Sequence, residues 1–188
     1  MRSVRSTMGW MLCTALVVSG LVASGATLAA QKVTKKTVGD GGSPHETVEY
    51  MVHGAKITVS YGRPFVKNRP IDAVAPKDQA YRLGADAATI LTTDKPLMIG
   101  SMMLQPGSYS LFAWPSGSAW KLIVNKQTGQ WGTDYDAKQD LGRTDLKTAT
   151  VASPQENFTI TVEEKPSNNG ALNFDWGKTR LTTDFMVH

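Results

Sequence analysis

The chain has 188 residues, with one cysteine, Cys13, and three histidines, His45, His53 and His188. Beyond Cys13 there can be no disulfide, no thiolate nucleophile and no cysteine metal site. Histidine is too scarce to supply a histidine-based zinc site. A Ser-His-Asp arrangement would have to recruit His53, which lies beside Gly54 in what reads as a hairpin turn. No Gly-x-Ser-x-Gly elbow occurs. Charge is scarce as well: 19% of residues are charged, and 20 Lys and Arg against 16 Asp and Glu leave a net charge of +4. That lacks the clustered basic character of a nucleic-acid binder, so no nucleic-acid partner is expected. A hydrophobic share of 41% excludes a disordered chain. With 17 Gly and 9 Pro, the chain is neither low-complexity nor collagen-like. The length fits one domain. Nothing in composition or local motif names a reaction, a cofactor or a metal.

What is present begins with an export signal. Arg2 and Arg5 precede an apolar stretch, Met8 to Val22, and small residues follow at Ala23, Ser24, Gly25, Ala26 and Thr27. Residues 1–30 read as a signal peptide, cleaved after Ala26, Ala29 or Ala30. The stretch is long enough to span a bilayer, but its glycines and serines make it a poor anchor. No membrane span is therefore expected after cleavage, and the location is periplasmic or secreted. Without Arg2 and Arg5 the 20 cations fall to 18 against 16 acidic residues, a net of +2.

Residues 31–45 are polar and glycine-rich and read as a flexible leader. From there the apolar period is two. Ala55, Ile57, Val59 and Tyr61 alternate with Lys56, Thr58 and Ser60; Phe158, Ile160 and Val162 alternate with polar neighbours. About ten short strands follow, near 46–53, 55–61, 88–93, 97–99, 108–114, 119–125, 145–151, 157–164, 171–176 and 179–186. Turns are expected at Gly100-Ser101, Ser116-Gly117 and Asn169-Gly170. Strands this short and this frequent predict an antiparallel β-sandwich over residues 46–188. Tyr109 to Trp114 is apolar on both faces and reads as a central strand. Trp114 and Trp120 flank one turn and are expected to pack across it.

Two stretches lack a strand pattern, 62–87 and 129–144; loops of that length in a compact domain are often functional. The first carries Arg63, Lys67, Arg69 and Arg82 with Asp72, Asp78 and Asp86. We expect Arg63, Lys67, Arg69, Arg82 and Asp86 to converge, anchored by Phe65, Ile71, Val74, Tyr81 and Leu83. The guanidinium groups then either pair with Asp72 or Asp86 as a clasp or hold a small anionic ligand. In the second stretch Asp134, Asp136 and Asp140 fail the calcium-loop pattern, with Gln139 and Asp145 where its glycine and glutamate should stand. Trp131 there is the best candidate for an exposed platform, suited to a carbohydrate ring. A non-catalytic binding or structural module is the first reading; a hydrolase using Asp or Glu beside Arg63 or Arg82 is the alternative.

Several segments, in order, resemble one bacterial family. They are Ser60-Tyr61-Gly62-Arg63-Pro64, Tyr81-Arg82-Leu83-Gly84-Ala85-Asp86-Ala87-Ala88-Thr89, Pro106-Gly107-Ser108-Tyr109-Ser110-Leu111-Phe112, Gln130-Trp131-Gly132 and Trp176-Gly177-Lys178-Thr179-Arg180. Together they are similar to the family called domain of unknown function 2911. The resemblance implies export and an all-β domain and carries over no catalytic residue. The family pattern has Trp-Arg-x-Gly-Ala-Asn-Glu-Ala-Thr where this chain has Tyr81, Asp86 and Ala87, so the family's glutamate is missing here.

Overall fold

Alternating side chains produce an antiparallel framework throughout. The computed structural model describes residues 26–188, and the expected signal segment up to Gly25 lies outside them. The strands are β1 (Thr27–Leu28), β2 (Ala30–Val38), β3 (Pro44–Val52), β4 (Ala55–Gly62), β5 (Tyr81–Arg82) and β6 (Thr89–Thr93). They continue as β7 (Leu97–Ile99), β8 (Met102–Leu104), β9 (Gly107–Ser116), β10 (Ala119–Asn125), β11 (Asp140–Glu164) and β12 (Asn169–Val187). Hydrogen bonding follows the order β2-β3-β4-β6-β9-β10-β11-β12-β7-β8, with β1 on β11 and β5 on β9. The path does not close into a barrel: β2 and β8 are its free ends.

The path becomes a sandwich because β11 serves both layers. Its first part, to Leu146, pairs with β10; from Lys147 it pairs with β12, with register breaks between Thr150 and Thr159. Such bulges bend a strand and let it change sheets. Tyr50, Ile57 and Val59 from one layer and Ile160, Leu172 and Phe174 from the other belong to one buried cluster. Two phenols stitch the layers. The Tyr50 hydroxyl donates to the Ile160 carbonyl at 2.9 Å. The Tyr61 hydroxyl accepts from the Ile160 amide at 3.0 Å and donates to Glu46 Oε1 at 2.7 Å. Phe158 stands edge-on to Tyr61, with ring centroids 5.9 Å apart.

The central strand is as the sequence predicts. In β9, Leu111 and Ala113 join the main core, while Phe112 packs with Ala88 and Ile123 on the opposite face. The Gly100-Ser101 hairpin also forms, linking Ile99 to Met102.

Other expectations are corrected. The stretch 31–45 is no flexible leader: Ala30–Val38 pairs along β3, and its residues are exposed throughout, which is why no two-residue contrast marks it. The pairs 145–151 with 157–164, and 171–176 with 179–186, are each one strand, the first of them bulged. Asn169-Gly170 is not the reversal. The chain turns at Ser167 and Asn168, both with positive φ, and Gly170 lies inside β12 against the Phe185 ring. Trp114 and Trp120 do not pack together. Trp120 opposes Pro115 and is buried, whereas Trp114 opposes Lys121 and carries the Arg143 guanidinium 4.6 Å from its ring centroid.

Two outcomes test this account of the core. Tyr61→Phe strands the Ile160 amide and takes the donor from Glu46 Oε1, which costs about 1–3 kcal/mol, or roughly 2–12 °C in Tm; an unchanged Tm contradicts it. Burial above all pushes Tyr50 up to about 12 and Tyr61 higher still. Because both values are raised, the stability they confer is complete below the free phenol pKa of about 10 and is lost as pH rises through the folded values. In an absorbance titration these two tyrosines should ionise only as the fold opens.

Candidate ligand-binding site

The site starts from the pleat of β3. Neighbours on a strand point to opposite faces, so Glu46 and His45 part company. Glu46 lies opposite Tyr61 in the register, and His45 lies opposite Gly62. Glu46, whose side chain is 10% exposed, receives the Tyr61 hydroxyl and Arg63 Nη1, the latter at 3.1 Å. Arg63 also donates from Nε to the Phe158 carbonyl at 3.2 Å and from Nη2 to Thr159 Oγ1 at 2.9 Å. Arg63 is thus fully engaged in joining the layers.

On the other face, Gly62 makes room. A Cβ there would stand 2.9 Å from both the Ala85 nitrogen and His45 Nε2. The missing side chain lets the returning loop settle on β4 and brings Asp86 to His45, whose Nε2 is 2.8 Å from Asp86 Oδ2. Gly39, at the β2–β3 turn, is also pressed against this pair, and a Cβ on it would collide with both. Asp86 is 9% exposed and has φ 62°, a left-handed conformation that Asp and Asn tolerate better than most residues. Its carbonyl accepts the Gly132 amide at 2.8 Å, and the next residue, Ala87, bridges to Trp131.

Beside this pair opens a cavity of about 410 Å³, bordered by Ser43, Arg69, Tyr81, Arg82, Asp86 and Trp176. Arg69 is fixed: Nε donates to the Val66 carbonyl at 3.1 Å, Nη2 to the Phe65 carbonyl at 2.7 Å, and its guanidinium carbon is 5.7 Å from the Trp176 ring centroid. The Arg82 guanidinium has no hydrogen bond or ion pair among the described residues. The stem of Arg82 packs against Gly132, and the residue also borders an adjoining hollow of about 330 Å³. Burial pushes the Tyr81 hydroxyl above the usual phenol range, while the charges of Arg82 and then Arg69 pull it down. Two cations therefore face a cavity whose one carboxylate is already held by His45.

Of the six residues expected from sequence, Arg69, Arg82 and Asp86 border the cavity. Arg63 is the clasp described above. Lys67 is exposed with φ 48°, and its amide, at 3.2 Å from Glu156 Oε1, is the part that makes a contact. Trp131 is 42% exposed beside Ala87 but does not border the cavity. Phe65, expected as an anchor, is exposed at 40%, and Val66 is buried in its place. Sequence reasoning missed His45 and Ser43, which fall in the stretch set aside as a leader. Asp136 caps the turn at Lys138, and Asp140 accepts from Tyr135 and Arg143, so two of the three aspartates are already engaged. Among the described residues no three His, Cys, Asp or Glu side chains gather as a metal site. No helix there is long and apolar enough to cross a membrane.

The family described as Protein of unknown function (DUF2911) matches residues 43–185. The chain belongs to this family. No curated protein and no solved structure matches it. The DUF2911 match begins at Ser43, so it takes in the six border residues named above and His45, while Gly39 and Gly41 precede it.

The two arginines should respond differently to loss of charge. Arg63→Gln leaves Glu46 without its cation and should cost about 1–3 kcal/mol, seen as a fall in Tm. Arg82→Gln keeps the packed stem and should stay within about 0.5 kcal/mol of the parent. Equal losses in thermal unfolding would make Arg82 a second clasp.

Proposed function

We propose that this protein is an exported, non-catalytic binding module whose end-of-sandwich cavity holds a small anionic ligand through Arg82 and Arg69. One observation carries the reading: a partly buried guanidinium without a partner among the described residues, facing a cavity of about 410 Å³. Arginine presents a planar fork that suits carboxylate and phosphate oxygens. Asp86 makes no ion pair with Arg82 and is hydrogen-bonded to His45 instead. The cavity size falls within the range of small-molecule sites.

A second reading is favoured by the same His45–Asp86 contact. The pair could relay a proton, as a carboxylate-dependent hydrolase acting on an anionic or carbohydrate substrate requires. In that reading Arg82 would hold the substrate, since Arg63 is engaged elsewhere. Turnover of phosphate or glycoside esters that disappears in Asp86→Asn would favour it over simple binding.

Export rests on Arg2, Arg5 and the apolar stretch that follows. Within the fold, Thr27 and Leu28 pair with Glu164 and Glu163, and Ala29 is buried with its amide 3.1 Å from the Val162 carbonyl. Cleavage after Ala26 keeps these contacts, whereas cleavage after Ala29 or Ala30 discards them. Intact mass of the exported protein should place its first residue at Thr27; a start at Ala30 or Gln31 contradicts this. For the ligand, calorimetric titration with inorganic phosphate should show saturable binding that weakens with salt. Arg82→Gln should lower that affinity by about tenfold or more, the worth of a charge-assisted hydrogen bond. Absence of saturable binding, or equal affinity in the variant, refutes the reading.

A further inference from the structure

A second cavity, of about 380 Å³, lies on the far side of Arg69. Its walls differ in chemistry from the first. Val66, Pro70, Pro154 and Trp176 supply apolar surface, Gln155 and Thr179 are polar, and the exposed Lys178 adds a cation at the border. Glu156 also borders it, but that carboxylate accepts the Lys67 amide at 3.2 Å. The two cavities have Arg69 and Trp176 in common. Neither of these shared residues is loosely placed. The Trp176 indole donates to the Arg69 carbonyl at 2.6 Å, and the Arg69 guanidinium is tied to the Phe65 and Val66 carbonyls. A cationic compartment and a mainly apolar one therefore meet at a fixed Arg-Trp partition.

From this juxtaposition we propose that the ligand has two parts: an anionic group held by Arg82 and Arg69, and an apolar or aromatic body lying past Arg69 in the Val66–Pro154–Trp176 compartment. The inference rests on the anion-binding reading and adds the chemical class of the ligand, a small organic phosphate or carboxylate with an apolar substituent. Charge complementarity selects the first compartment for the anion: two guanidinium groups border it, that of Arg82 without a partner among the described residues, whereas the second compartment adds only the exposed Lys178 to the shared Arg69. Continuity through the shared residues makes the second compartment the adjacent space that a substituent on that anion would enter. Each volume lies near the lower end of the range for a small-molecule site, so a ligand with one group in each uses both.

The test compares two probes of the same headgroup, inorganic phosphate and phenyl phosphate, titrated at equal pH and ionic strength. Phenyl phosphate should bind about tenfold tighter or more, as burial of a ring outweighs its ordering. Pro154→Trp, at an exposed position, and Thr179→Phe should each fill the apolar compartment. Both should abolish that gain and leave the affinity for inorganic phosphate unchanged, which also reports that the variants are folded. Equal affinities for the two probes in the parent protein overturn the two-part ligand while leaving the anion site standing. A gain that survives both filling variants overturns it as well, because the ring then lies elsewhere. Failure of inorganic phosphate itself to bind overturns the underlying reading together with this one.

Discussion

One partly buried carboxylate, Glu46, decides how the long loop after β4 is attached. It draws Arg63, the loop's first cation, back against β3, and it accepts the Tyr61 hydroxyl that in turn receives the Ile160 amide from the other layer. Leaving such a carboxylate unpaired at low exposure would be costly. The arginine, the phenol and the carboxylate therefore stand or fall together, and the point where the loop departs is fixed by groups on both sheets. From there Ile71 and Leu83 enter the core and Val74 and Tyr81 pack against it, which brings the chain to Asp86.

The consequence for function follows from the alternation of a strand. Glu46 takes Arg63 out of circulation on one face of β3, and His45 takes Asp86 on the other. Glu46 and Asp86 are thereby occupied, and Arg82, which sequence alone would pair with Asp86 or Asp72, faces open space instead. Asp72 is exposed on the short turn Ile71–Ala73 and makes no ion pair among the described residues. A cation left over in a hollow is the simplest structural basis for holding an anion, and the missing side chain at Gly62 is what makes the arrangement sterically possible.

Much of the framework was legible in the sequence. Wherever one face of a strand is wet and the other drier, as in Ala55–Gly62 or Thr89–Thr93, the two-residue period marks it. Strand β2 escaped because both its faces are exposed, so Lys32 to Val38 carries no contrast to read. The bulges in β11, and Gly177 with φ 57° opposite them in β12, interrupt the period without ending either strand, which made two long strands look like four. The site was half legible. A run of arginines and aspartates on one long loop pointed to the right segment, and Arg69, Arg82 and Asp86 do come together. Their partners were not legible, because Glu46 and His45 lie outside the loop and are selected by register: residue 46 opposite Tyr61, residue 45 opposite Gly62. Trp131 lies beside the site through the Ala87 bridge yet does not border the cavity, a distinction that side-chain type cannot supply.

The central claim is that Arg82 is the cation left open to a ligand while Arg63 is already engaged. Arginine side-chain proton–nitrogen spectra of the labelled protein address it directly, because each Nε–H reports its own environment. On addition of inorganic phosphate the Arg82 Nε–H resonance should shift saturably, and that of Arg63, bonded to the Phe158 carbonyl at 3.2 Å, should stay in place. A shift at Arg63 with none at Arg82, or no saturable shift at either, would contradict the account.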